Sequence, residues 1–154
     1  EIPRLLHFIT DSELVLNGYR QTLASCAAVN PDWTIYLWTE PDVESLLRRR
    51  QPDLLSFYQL LNSPAERLEF AKYPVLYHLG GVILELDVEC LKPLSSATAL
   101  DFRSSAFVAE ERVENVMIYD NRLFRLSPAA LGSRPGHGFL GFVISALRGN
   151  VSVE

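Results

Sequence analysis

The stretch YHLGGVILELDVECLKPL, Tyr77 to Leu94, contains one of the most apolar runs in the chain and ends that run with acidic residues. Gly80 and Gly81 stop the helical pattern before them, because glycine adopts a left-handed backbone at little cost. VILEL is a continuous apolar run of strand length, as expected for a central strand that is covered on both faces. The stretch therefore predicts a buried strand that carries Glu85 and Asp87 to its carboxyl end.

Upstream of this strand the sequence alternates between strand and helix patterns. IPRLLHFIT and TIYLW are strand-type runs, and YRQTLASCAAV between them has helical spacing. A strand, a helix and a strand in close succession indicate a parallel pair with a right-handed crossover. Helical patterns follow at 41–50, 52–61 and 64–79, and after Pro93 we expect a strand at AFVA, an irregular middle and a helix over 138–147.

Length, composition and charge exclude several classes of protein. The chain has 154 residues, of which 48% are hydrophobic, and this predicts a single domain over 1–154. A formal net charge of -5 makes nucleic acid and anionic membrane surfaces poor partners. We interpret Arg48 to Arg50 as a solvated helix end, with a phosphate-binding patch as the alternative. No apolar run approaches the roughly 20 residues of a membrane span, so no membrane contact is expected within this chain.

Cys26 and Cys90 are the two cysteines of the chain. Two cysteines are too few for a disulfide framework, and they leave the redox compartment open. They do not form a recognisable metal site with the three scattered histidines.

The acids at the end of the apolar run suggest a ligand site. In open α/β sheets the ligand crevice lies beyond the carboxyl ends of the strands, where Glu85 and Asp87 emerge. Residues two apart on an extended chain face the same side, so both carboxylates can converge on one cation. Such oxygens suit Mg²⁺ or Mn²⁺ shared with substrate phosphates. The alternative is that both acids simply solvate a strand end.

A second polar group lies one element upstream, in ERLEFAKYPVLYHL. Glu69 and Lys72 are three apart on the predicted helix and Arg67 lies nearby, so groups of both signs can share one edge. The alternative is an ordinary surface ion pair. Pro74 inside the pattern removes a helix hydrogen bond and predicts a kink or a break.

At these residues the chain resembles the DXD-containing glycosyltransferases of the sugar-binding-region type, which include fungal mannosyltransferases and α-galactosyltransferases. It is also similar to the catalytic domain of clostridial glucosylating toxins. The resemblance rests on four ordered blocks: IPRLLHFI, NPDWTIYLWTE, RLEFAKYPVLYHLGGVILELDVECLKPL and SRPGHGFL. It implies a GT-A-like α/β fold with a mostly parallel central sheet. It also implies retaining transfer of a hexose, with Mn²⁺ or Mg²⁺, from a UDP- or GDP-sugar to a glycan, glycolipid or protein acceptor.

The resemblance also implies roles for individual residues. Asp87 would ligate the metal, and Glu85 would contact the donor ribose, the metal or a metal-bound water. Glu69 and Lys72 would hold the sugar hydroxyls. Together these four are the predicted catalytic residues. The remaining donor-binding residues implied by the match are Arg67, His7, Phe8 and Ile9.

Several residues depart from the family pattern. Glu replaces Asp at positions 69 and 85, Lys replaces Arg at 72, and Thr10 stands where relatives often carry tryptophan. A misplacement of about 1 Å can cost on the order of 100-fold in rate, and lysine lacks the fork of arginine. The alternative function is therefore an impaired relative that binds a nucleotide or sugar, or that serves as an interaction domain.

The resemblance bears on topology as well. It implies that the chain lacks a C-terminal segment on the acceptor side. If a membrane anchor precedes Glu1, the Golgi or another secretory lumen would be the compartment.

GHGFLG, 136–141, is a weaker competing motif. It fits the glycine string of dinucleotide-binding folds, but Pro135 precedes it instead of a strand. We interpret His137 as a turn or helix-start residue rather than a base.

Overall fold

The computed structural model describes residues 1–11, 13–96, 104–111, 116 and 125–150, with side chains except at 13–16, 96 and 150. Its first half has the predicted order: two strands separated by a helix, then three helices and a central strand. The elements are β1 (Leu5–Ile9), α1 (Glu13–Val29), β2 (Thr34–Trp38), α2 (Glu40–Arg50), α3 (Pro52–Leu60), α4 (Pro64–Leu79), β3 (Gly81–Leu84), a 3₁₀ turn (Leu94–Ser96), β4 (Ala106–Glu110), β5 (Leu126–Ser133) and α5 (Gly138–Asn150).

The strands form one five-stranded sheet in the order β2-β1-β3-β5-β4. β1 runs parallel to both β2 and β3, which confirms the predicted parallel pair. β5 runs antiparallel to β3 and to β4. The expected mostly parallel sheet is therefore wrong, and the α/β class is confirmed with a mixed sheet.

β3 is buried along its whole length because helices cover both faces of the sheet. Val82 and Leu84 pack into a cluster with residues of β1 and with Cys26 of α1. Ile83 points to the other face and packs against buried residues of α2, α3, α4 and α5. The continuous apolar run thus forms the central strand that the sequence predicts.

Helix α4 leads directly into β3 through a glycine pair. A capping box starts the helix: Ser63 Oγ accepts from Glu66 N at 3.2 Å, and Glu66 Oε2 accepts from Ser63 N at 3.3 Å. The helix continues through Pro74 to Leu79, so of the two predicted outcomes the break is wrong and a kink stays a prediction. At Gly81 φ is +100°, and an added Cβ would lie 2.5 Å from the carbonyl oxygen of Leu5. Only glycine fits this close approach of β3 to β1.

A disulfide links Cys26 of α1 to Cys90, which follows β3, across a sequence separation of 64. Cys90 N donates to Ser25 Oγ at 3.3 Å. Asn30 extends the attachment, because its Oδ1 accepts from Leu94 N at 2.7 Å while its Nδ2 donates to Cys26 O at 2.9 Å. The C-terminal end of α1 therefore holds the segment that follows Asp87.

Arg48, Arg49 and Arg50 are exposed in the last turn of α2, as the solvated-end interpretation predicts. Cationic side chains are favoured there by the negative end of the helix dipole.

Candidate functional site

A cavity of about 240 Å³ opens at the carboxyl ends of β1 and β3, beside α4. Polar side chains of the middle of α4 and of the segment after β3 converge in it, and Ile9 lines it from β1. The lining residues are Ile9, Tyr19, Leu68, Glu69, Lys72, Ile83, Leu84, Glu85, Leu86 and Asp87. The structure thus brings the four predicted catalytic residues into one cavity.

Lys72 lies between the two glutamates of the cavity. Its Nζ donates to Glu69 Oε1 at 2.7 Å and to Glu85 Oε1 at 2.8 Å. Only 8% of the Lys72 side chain is exposed, whereas 54% of the Glu69 side chain is. A buried ammonium that binds two carboxylates differs from the ordinary surface pair that the helical spacing also allows.

The pKa of Lys72 reflects two opposing effects. Burial alone would lower it, but the hydrogen bonds and charges of Glu69 and Glu85 outweigh burial and raise the pKa above 10.5. Lys72 therefore places a permanent positive charge inside the cavity at neutral pH.

The three polar residues that the sequence analysis marked as departures contact one another in the structure. Each glutamate is one methylene longer than aspartate, and lysine offers one compact ammonium instead of a planar fork. In the structure the two longer carboxylates both reach the same ammonium. Glu69, Lys72 and Glu85 thus form one contact set, which we call the Glu-Lys-Glu triad.

Because the triad members touch, reversion to the family residues should be non-additive. We expect Glu85→Asp alone to lose the Lys72 contact and to lower the free energy of unfolding by about 1–2 kcal/mol. Adding Glu69→Asp and Lys72→Arg should recover much of that loss, with a coupling energy of about 0.5–3 kcal/mol. Urea unfolding of the single and triple variants measures it, with Glu89→Asp as an exposed control nearby. Additive losses would show that the three residues act independently.

Asp87 reaches the cavity from a turn rather than from an extended strand. β3 ends at Leu84, and Val88 N donates to Glu85 O at 3.1 Å to close the turn. The expectation that Glu85 and Asp87 share a face of an extended strand is therefore wrong, although both line the cavity. Glu85 N donates to Ala129 O at 3.0 Å, so antiparallel β5 positions the backbone of the site.

The donor set fits a divalent ion that is shared with a ligand. Among the described residues, no three His, Cys, Asp or Glu side chains are grouped closely enough to hold a metal by themselves. Mg²⁺-type sites usually combine one or two carboxylates with substrate phosphates. Asp87 is exposed at the cavity and Glu85 has one oxygen beyond the one that binds Lys72, so these two acids suit such a shared site.

Of the three predicted nucleotide-contacting residues in β1, Ile9 lines the cavity, whereas His7 and Phe8 are fully buried within the sheet. Trp38 Nε1 can only donate, so His7 Nδ1 accepts its hydrogen at 3.1 Å. The remaining proton of His7 lies on Nε2, which donates to Gly80 O at 2.8 Å. His7 therefore joins β1, β2 and the turn between α4 and β3.

Burial lowers the pKa of His7 to about 4, although the hydrogen bond to Gly80 opposes the shift. The unfolded chain takes up a proton on His7 near pH 6.5, whereas the folded protein does so only near pH 4. The free energy of unfolding is therefore unaffected by His7 above about pH 6.5 and falls as the pH is lowered towards 4. We expect the free energy of unfolding to fall by about 2 kcal/mol between pH 7 and pH 5 through His7 alone. Urea unfolding at both pH values should show a clearly smaller loss in His7→Gln and the full loss in His137→Gln. Equal losses in all three proteins would contradict this assignment.

Arg67 stabilises the entry to α4 from outside the cavity lining. Its Nε lies 2.9 Å from Glu40 Oε1, and its Nη1 donates to Leu61 O at 2.7 Å. Arg67 thus connects the first turn of α4 to α2. Thr10, which the sequence analysis also marked as a departure, is buried, and its backbone N donates to Trp38 O at 2.9 Å.

Tyr19 is a cavity residue that the sequence analysis did not select. It is half-buried and lines the cavity from α1. Tyr19 and Leu23 are four apart, so they share the inward face of the helix. That spacing could have identified Tyr19 as an inward-facing residue.

Ser105 and His137 form a second polar pair. Ser105 Oγ lies 2.9 Å from His137 Nε2, while Phe139 N donates to His137 Nδ1 at 3.2 Å. With Nδ1 accepting, the proton lies on Nε2, so this nitrogen cannot take a proton from Ser105. His137 directly precedes α5, which confirms its predicted helix-start position.

Residues 17–108, more than half of the chain, match the family model described as the glycosyltransferase sugar-binding region containing the DXD motif. The chain belongs to this glycosyltransferase family. The matched range includes Glu85-Leu86-Asp87, the residues predicted to be its DXD motif.

Named relatives include fungal mannosyltransferases. The chain is 29% identical, over 61% of its length, to inositol phosphoceramide mannosyltransferase 1 of Schizosaccharomyces pombe and covers 30% of that protein. It is 24% identical, over 96% of its length, to the mannosyl phosphorylinositol ceramide synthase CSH1 of Saccharomyces cerevisiae and covers 35% of that protein. The chain thus spans about a third of these relatives.

A solved structure supports the fold. PaToxG glycosyltransferase superposes with a TM-score of 0.69 at 14% identity, over 97% of this chain and 61% of that one. This likeness concerns the fold alone, and it agrees with the predicted GT-A-like architecture.

Within the part of the chain that the structure describes, no helix combines the length and apolarity needed to cross a membrane.

Proposed function

We propose that this chain is the donor-binding catalytic region of a retaining hexosyltransferase that uses a nucleotide-sugar and a divalent cation, Mn²⁺ or Mg²⁺. The observation that carries the proposal is the convergence of the Glu-Lys-Glu triad and Asp87 in one cavity at the carboxyl edge of the sheet. Family membership supports sugar transfer as the reaction class. The names of the relatives favour mannose as the hexose and an inositol phosphoceramide-like lipid as the acceptor.

The residues of the cavity suit the charge that develops during sugar transfer. A divalent ion held by Asp87 and Glu85 would supply Lewis-acid charge to the departing diphosphate. Lys72 adds a fixed positive charge in the same cavity, and preorganised charge of this kind stabilises a transition state without rearrangement. Glu69 accepts hydrogen bonds from sugar hydroxyls and so orients the hexose.

One observation favours a second candidate, an impaired relative that binds a nucleotide or sugar without transferring it. Both glutamates already bind Lys72 in this structure, so the polar groups expected to hold the donor are bonded to one another. A donor must share or displace these bonds. Turnover of the donor distinguishes the two candidates, and the anomeric configuration of the product tests retention.

A thermal-shift screen tests donor binding directly. A ligand that binds only the native state adds about 2.7 kcal/mol of stability at a hundredfold excess over Kd. We expect a rise in Tm with GDP or UDP when Mn²⁺ is present and a smaller rise without the metal. The matched controls are GMP and UMP with Mn²⁺, which keep the base and lack the diphosphate. No shift with any nucleoside diphosphate would remove the proposed donor site.

A further inference from the structure

A second cavity, of about 330 Å³, lies between α3, α4 and the end of α5. Its apolar side chains come from all three helices, and Phe57 packs edge-on against Phe70 with ring centroids 5.1 Å apart. The apolar lining consists of Phe57, Leu60, Leu61, Phe70, Tyr73 and Leu147. A volume of this size falls within the range of about 300–1,000 Å³ that is typical of small-molecule sites.

Glu69 lines both cavities, so the apolar cavity borders the candidate donor site. On one side, Glu69 accepts the hydrogen bond of Lys72. On the other side it stands with Asn62 and Glu66 as the polar part of the apolar cavity. A ligand that occupies the second cavity therefore ends beside the residue proposed to orient the donor hexose.

Two leucines of the second cavity remain open to solvent. Leu60 is 60% exposed and Leu147 is 37% exposed. Leucine exposed at the mouth of an apolar cavity is typical of a binding surface rather than of a closed core. The cavity thus offers apolar area that a ligand can cover without any rearrangement of the core.

We propose that the second cavity binds the apolar chain of the acceptor, with the hydroxylated end of the acceptor directed towards Glu69. This inference rests on the proposed function, and it adds a location for the acceptor that the donor site alone does not provide. The polar groups at the border of the two cavities suit the hydroxylated end, because the carboxylates of Glu66 and Glu69 and the amide oxygen of Asn62 accept hydrogen bonds from hydroxyls.

Binding of alkyl inositol phosphates of increasing length tests the inference. The probes are the butyl, hexyl and octyl esters, kept below their micelle-forming concentrations and titrated by calorimetry without donor or metal. Each methylene that enters an apolar cavity should tighten binding about threefold to fourfold. The double variant Leu60→Glu/Leu147→Glu should lose most of this dependence on chain length. The matched control is Leu91→Glu, at a leucine that is 80% exposed and does not line the cavity.

Three results would overturn the inference. The first is an affinity of the wild type that does not change with the length of the alkyl chain. The second is an equal change of affinity with chain length in the double variant. The third is loss of this change of affinity in a longer protein that contains this chain. The last result would assign the cavity to a segment of the protein itself. Because no donor is present, the outcome is separate from that of the proposed function. A protein that binds octyl esters but no nucleoside diphosphate would retain the apolar site and lose the donor site.

Discussion

Replacing Cys26 and Cys90 by serine is expected to lower the free energy of unfolding by about 4 kcal/mol. The disulfide closes a loop with a sequence separation of 64, and the entropy of closing such a loop in the unfolded chain sets this magnitude. Two hydrogen bonds still join α1 to the segment after β3 in the variant, because Ser25 and Asn30 accept from the backbone N of positions 90 and 94. The double variant should therefore fold, but with a much smaller margin of stability.

Urea unfolding with and without dithiothreitol measures this effect. The reduced wild type should match the double variant, and Ala27→Ser, at an exposed neighbour in α1, should change stability by less than about 0.5 kcal/mol. Donor affinity should weaken as well, because the segment held by the disulfide begins just after Asp87. A difference of less than about 1 kcal/mol between oxidised and reduced protein would contradict this role of the disulfide.

Periodic segments were predictable from the sequence. α4 occupies 64–79 as expected, because Ser63 and Glu66 cap its start and Gly80-Gly81 end it.

β5 was missed because LSPAALGS contains a proline and no β-branched residue, so it has little intrinsic preference for a strand. Pro128 lies where the register between β4 and β5 shifts, a place where a strand tolerates proline. The segment forms a strand because it pairs with β3 and β4. Both of these pairs are antiparallel, so a sequence analysis that misses β5 also misses the antiparallel part of the sheet.

The polar residues of the candidate site were predictable from two rules. Acids at the carboxyl end of a central strand face the ligand crevice, and helix residues three apart share a face. The sequence could not show that Lys72 binds Glu69 and Glu85 together, because that contact depends on its burial against β3. Nor could it show that His7 would be enclosed by Trp38 and Gly80. The Cys26–Cys90 pairing also depends on the tertiary arrangement of α1 and β3.

Asp87→Asn is expected to weaken Mn²⁺-dependent binding of the donor nucleotide by about 100-fold or more. Asparagine has nearly the same shape but lacks the negative charge, and loss of even an outer-shell partner of a metal ligand typically costs about 10–100-fold in metal affinity. The apo fold should be unaffected because Asp87 is exposed. Glu89→Gln is the matched control, since Glu89 is an exposed acid two residues further along that does not line the cavity.

Calorimetric titration of GDP and of UDP, each with saturating Mn²⁺, into the wild type, Asp87→Asn and Glu89→Gln tests the central claim most directly. We expect one nucleotide to bind the wild type and Glu89→Gln with affinities within about twofold of each other, as is usual for surface substitutions. Asp87→Asn should bind the same nucleotide with the low affinity that the wild type shows without metal. Equal Mn²⁺-dependent affinity in all three proteins would show that the cation and the nucleotide bind elsewhere, and it would contradict the assignment of this cavity as the donor site.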